Sequence, residues 1–126
     1  TWRTWKVTDN IKWINSQQGW DIESTITMKF LDIVLNLQNY FKFKNIPYVM
    51  YNSLPNYSNP NIKDFKIMSK AIDMKRFFKP QTSLYDFVMK ENMIVSPDDP
   101  HPSTKGHIQW AKQLKEFIDA NNLRTI

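Results

Sequence analysis

The sequence predicts an α/β fold with a mainly parallel sheet, on three features. Residues 24–43 carry an amphipathic helical pattern, a nearly continuous apolar run at 46–53 follows after a two-residue break, and a second amphipathic pattern from about 104 to 121 closes the chain. A helix that leads after a short break into a buried apolar run is the signature of a strand in an α/β unit. The loop at 54–61 leaves the C-terminal end of that strand, the edge at which open α/β sheets place their ligand crevice.

Residues 1–22 hold four tryptophans (Trp2, Trp5, Trp13, Trp20) without a clear period, and read as a loop with short extended or helical pieces packed by its aromatics. In the helix at 24–43, Ser24 is the expected N-cap and Glu23 sits near the positive end of the macrodipole. Ile26, Phe30, Ile33, Val34, Leu37, Tyr40 and Phe41 form its expected buried stripe. Lys42 and Lys44 suit its last turn, and Asn45 is the expected C-cap. Pro47 is acceptable at the start of the strand Ile46–Ser53. Residues 62–78 show helical spacing before Phe77, Phe78 and Pro80; Ser83 opens a short helix from Leu84 to Lys90; and Met93–Val95 reads as a short extended piece. Three prolines between 96 and 102 predict a rigid loop. Ser103 caps the last helix, whose buried stripe is Ile108, Ala111, Leu114, Phe117 and Ile118.

A chain of 126 residues is one domain's worth, here 1–126, and its 41% hydrophobic and 23% charged residues are ordinary globular usage. With no Cys, disulfides, thiolate chemistry and Cys-based zinc sites are excluded, and two His make a His-built metal site improbable. No cofactor is expected. Ile33–Leu35 is the longest strictly aliphatic stretch, too short for a membrane span. The net charge of +5 invites a nucleic-acid reading. Lys, Asn and Ile together supply 39 residues, however, which is the signature of an AT-rich coding sequence and raises the pI without any partner. Residues 41–80 hold eight Lys or Arg against Asp64 and Asp73, a local excess that reads first as solvated surface and second as a weak anion-facing patch.

The informative stretch runs from Asp98 to His107, Asp-Asp-Pro-His-Pro-Ser-Thr-Lys-Gly-His. Asp98 stands three residues before His101 in a loop stiffened by Pro, at the N-terminus of an amphipathic helix. A carboxylate that accepts the Nδ1 proton of an imidazole fixes its tautomer and stabilises the imidazolium formed when Nε2 takes a proton. That is the acid–base half of a nucleophilic triad. Spacing alone leaves a plainer alternative open, in which Asp98 or Asp99 caps a turn and His101 is an ordinary loop histidine.

The block Asp98, His101, Pro102, Gly106, His107 and the helix Ile108–Leu114 resembles the C-terminal block of the SGNH hydrolases, the GDSL-type esterases and lipases. The resemblance implies a three-layer α/β sandwich, flavodoxin-like and with a mainly parallel sheet, that hydrolyses an ester, with acylated carbohydrates among the substrates. It implies that His101 is the catalytic base and Asp98 the acid that orients it. Asp99 falls at a variable position, and His107 takes a structural role under the loop. The family's Gly-Asp-Ser nucleophile block has no counterpart here, and neither do its oxyanion Gly and Gly-x-Asn. The expectation is therefore the C-terminal portion of such a domain, incomplete at the N-terminus and inactive in isolation. The alternative is a non-catalytic carbohydrate- or anion-binding module on the same fold. Nucleic acid and membrane are disfavoured as partners. Self-association through the Trp-rich segment or the 46–53 strand is expected, because an incomplete sheet exposes an edge.

Overall fold

The structure is a computed structural model that describes residues 22–54, 66, 67 and 69–126. The Trp-rich segment at 1–21 and most of the expected loop and helix at 55–65 lie outside the described residues. The described residues hold helices and a two-stranded antiparallel sheet, a mixed α/β architecture. In chain order they are α1 (Ile22–Phe43), two 3-10 turns (Ser69–Ala71 and Met74–Arg76), α2 (Leu84–Lys90), β1 (Ile94–Ser96), β2 (Asp99–Pro102) and α3 (Thr104–Ala120). The chain divides into two compact units, 1–37 with 57–72 and 38–56 with 73–126.

In the first unit, α1 begins at Ile22, so Ser24 lies inside the first turn and is not its cap. The buried positions are Thr27, Leu31 and Val34, and the same stripe continues into the second unit as Gln38. This stripe is rotated by one residue from the expected one, and Ile33, Leu37 and Tyr40 are exposed. The helix carries two neighbouring stripes, and the buried one includes polar residues that an apolar count passes over. Gln38 is 1% exposed and bonds a backbone: its Nε2 donates to Asp73 O at 3.1 Å, and its Oε1 accepts from Asp73 N–H at 2.7 Å.

In the second unit, residues 46–54 form no regular strand, and the expected strand is reduced to one parallel bridge between Met50 and Phe77. Met50 N–H donates to Arg76 O and Phe78 N–H to Met50 O, both at 2.8 Å. The carbonyls of Asn52 and Ser53 then accept from Leu84 and Tyr85 N–H, which satisfies two of the free donors at the start of α2. Ser83 and Asp86 complete a capping box there. Where a helix was expected over 62–78, Lys66 and Ile67 are helical, 69–71 and 74–76 form the two 3-10 turns, and Asp73 caps the second. Arg76 ties this region to the C-terminus, donating to Tyr48 O at 3.0 Å, Leu123 O at 3.3 Å and Thr125 O. Most of the other described cations of the basic stretch are exposed, and Lys42 lies 3.6 Å from Asp73.

The three α-helices named above end the same way. Asn45, Asn92 and Asn122 have φ near +50° (56°, 49° and 50°), and each is followed by an N–H that reaches back to a carbonyl five residues earlier: Ile46 to Phe41, Met93 to Val88 and Leu123 to Ile118. These are Schellman ends, a position Gly usually fills and Asn tolerates. A chain with two Gly and many Asn stops its helices with Asn. The core of the unit is Phe78, Leu84, Phe87, Val88 and Trp110, with Val49, Met93, Ile94, Leu114 and Phe117 packed against it.

Candidate acid–base site on the hairpin

The Pro-rich stretch expected as a loop forms the second strand of a hairpin. β1 and β2 pair antiparallel, Ile94 with Pro102 and Ser96 with Asp99, around a turn at Pro97 and Asp98. A two-stranded ribbon has outer edges on which proline's missing donor costs nothing.

The root of the hairpin is fixed. Met93 O accepts both Ser103 N–H at 2.9 Å and Ser103 Oγ–H at 2.8 Å, while Ser103 Oγ caps α3 by accepting Gly106 N–H at 3.2 Å. Gly106 is buried where α3 meets this strand: a Cβ there would stand 2.8 Å from Met93 O and 2.9 Å from Val88 Cγ1. The Gly of the Gly-His pair is thus a close-approach residue. His107 does not pack under the loop as expected. Its side chain is exposed, and its N–H makes the helical bond to Ser103 O at 3.0 Å.

At the tip, His101 pairs with Asp99 and not with Asp98. Asp99 Oδ1 lies 2.5 Å from His101 Nδ1 and also accepts His101 N–H at 3.1 Å. The pair is an Asx-type arrangement: one carboxylate oxygen accepts the backbone N–H two residues on and meets the ring of the same residue. The ladder slips here, with Asp99 to Pro102 facing only Ser96 to Ile94, so β2 does not alternate regularly over these residues. Asp98 sits in the turn, exposed, and its side chain makes no hydrogen bond to His101 or to another described residue. The expected Asp98–His101 orientation is corrected accordingly.

The hydrogen bond from the His101 ring, followed by that from its backbone N–H, lowers the pKa of Asp99 below the ordinary carboxylate value. With Nδ1–H donated to Asp99, Nε2 carries the free lone pair and can accept a proton. The His101 side chain is 83% exposed, so Nε2 is open to whatever approaches the tip. Among the described residues no serine hydroxyl bonds His101: Ser83 and Ser103 are occupied as caps, and Ser69 bonds Lys66 O. Ser16 and Ser58 lie outside the described residues. No group of three His, Cys, Asp or Glu that could hold a metal occurs among the described residues, and no described helix is long and apolar enough to cross a membrane. The close-approach Gly106 and the buried Gln38 carried no signal in spacing. No protein-family model matches the chain, and neither the curated proteins nor the solved structures give a match.

Proposed function

We propose that the hairpin tip is the acid–base half of an SGNH-type ester hydrolase, with His101 as the base and Asp99, in place of Asp98, as the carboxylate that orients it. The observation that carries this reading is the Asp99–His101 Nδ1 contact, which leaves Nε2 open at an exposed tip. In this mechanism Nε2 takes the proton of a serine hydroxyl as that oxygen attacks the ester carbonyl. The imidazolium, stabilised by Asp99, then returns the proton to the leaving alcohol. Water repeats the cycle to release the acid. The serine is supplied by residues other than those described, and the full domain of this reading is a three-layer sandwich with a mainly parallel sheet. Acylated carbohydrates are one substrate class that the resemblance suggests.

The test uses the gene product extended upstream of Thr1, assayed with p-nitrophenyl acetate and a fluorophosphonate serine probe. The reading predicts a Gly-Asp-Ser block after an apolar strand, serine labelling, and turnover lost by about 10³-fold or more in His101→Ala. Asp99→Asn lowers turnover strongly, and Asp98→Asn leaves it near the parent value. Turnover indifferent to His101→Ala, or an upstream sequence with no such serine block, rejects it.

A further inference from the structure

A groove of about 620 Å³ opens between the turn at 79–82, α2 and α3, away from the hairpin tip. Its wall carries Lys79, Lys90, Gln109 and Gln113, and its apolar side includes Phe87 and Met93. Lys79 is placed there by an unusual backbone. Its φ is +45°, in the left-handed region, and the next residue is Pro80, whose ring further restricts the residue before it. The turn is closed by Thr82 N–H donating to Lys79 O at 3.0 Å.

The strained backbone delivers the Lys79 ammonium over three rings, 5.5 Å from Phe78, 5.4 Å from Phe87 and 5.8 Å from Trp110. One of its donors goes to Gln113 Oε1 at 2.5 Å. No carboxylate among the described residues lies within 4.0 Å of Lys79 or of Lys90. A half-buried lysine thus faces the groove with aromatic and amide partners and no carboxylate among the described residues within 4.0 Å of its ammonium. Cation–π contact compensates only part of the lost hydration. With Gln113 Oε1 accepting from Lys79, the Nε2–H₂ of the same amide remains a donor, and Gln109 stands one helical turn away on the same wall.

We propose that this groove binds a small amphipathic monocarboxylate. Its carboxylate is held by Lys79 and the Gln113 amide, and its apolar part lies against Phe87 and Met93. Glu91 on the same wall offsets one of the two lysines, so a single negative charge is matched better than a dianion. The site depends on neither His101 nor Asp99.

The full chain is titrated with sodium benzoate at constant ionic strength and followed by amide chemical shifts, with benzamide and inorganic phosphate at pH 7.5 as comparison probes. The proposal predicts saturable shifts confined to Lys79, Thr82, Gln109, Gln113 and their neighbours, no saturation with benzamide, and weaker binding of phosphate. Lys79→Met weakens benzoate about tenfold, the worth of a charged hydrogen bond. The exposed Lys90→Gln, which leaves the core untouched, weakens it about threefold. His101→Ala leaves benzoate binding unchanged, so the groove and the hydrolase reading can fail separately. Absence of saturation, equal response to benzamide, tighter binding of phosphate, or benzoate affinity unchanged in folded Lys79→Met and Lys90→Gln overturns the proposal.

Discussion

The two ends of the 93–103 hairpin use the same device to different ends. At the root, one oxygen, Met93 O, accepts two hydrogen bonds from one residue, Ser103; at the tip one oxygen, Asp99 Oδ1, meets two nitrogens of one residue, His101. The root is closed over by Gly106 and Val88, and its oxygen is a backbone carbonyl that cannot titrate. The tip is exposed, and both its partners ionise. Water competes for every contact at the tip and for few at the root, so the root carries stability and the tip contributes little to it.

The largest effect separating the two ends is expected at Gly106. A Cβ at 2.8 Å from Met93 O pushes on a carbonyl that holds two hydrogen bonds, and overpacking of this kind costs about 1–3 kcal/mol. Alanine's helix propensity returns at most about 1 kcal/mol. Gly106→Ala therefore lowers stability by about 1–2 kcal/mol in urea unfolding, and a neutral result would break the account of the root. Ser103→Ala removes the cap of α3 together with one bond to Met93 O, an expected loss of about 1.5 kcal/mol by the same measurement. Asn92, whose φ of 49° turns the chain from α2 into the hairpin, gives a smaller contrast. Asn92→Ala costs about 1 kcal/mol while Asn92→Gly is neutral or slightly stabilising, since only the first carries a β-carbon into the left-handed region without a compensating side chain. At the tip, Asp99→Asn lowers the thermal midpoint at neutral pH by less than Gly106→Ala or Ser103→Ala does, because water competes for the exposed contact. A large loss there would mean that the tip is a structural element after all.

The local punctuation of this chain was legible in the sequence. The caps Ser83 and Ser103, the stop at Asn45, the helices at 84–90 and 104–120 and the extended piece before Ser96 follow from residue types whose preferences act within one turn. The face that α1 buries was not legible, because it includes the polar Thr27 and Gln38, and Gln38 bonds a backbone 35 residues away in sequence. The partner of His101 was missed for a related reason. A three-residue offset suits a loop that turns back on itself, but 99–102 is an irregular strand in which the Asp99 carboxylate reaches the N–H and the ring two residues on. Lys79 carried no sequence signal, since its role depends on a left-handed backbone and on three rings from separate segments.

The assignment of Asp99 as the partner of His101 is tested most directly by following the Asp99 side-chain carboxyl carbon by NMR as pH is lowered, in the parent chain and in His101→Ala. Hydrogen bonds from His101 lower the folded pKa of Asp99, so the stabilisation of the ionised Asp99 carboxylate is fully present above the ordinary carboxylate value and is lost as pH falls through the depressed one. The account predicts that Asp99 titrates below the usual carboxylate range in the parent chain and returns to that range in His101→Ala. An Asp99 titration that is ordinary in the parent, or unmoved by His101→Ala, contradicts it.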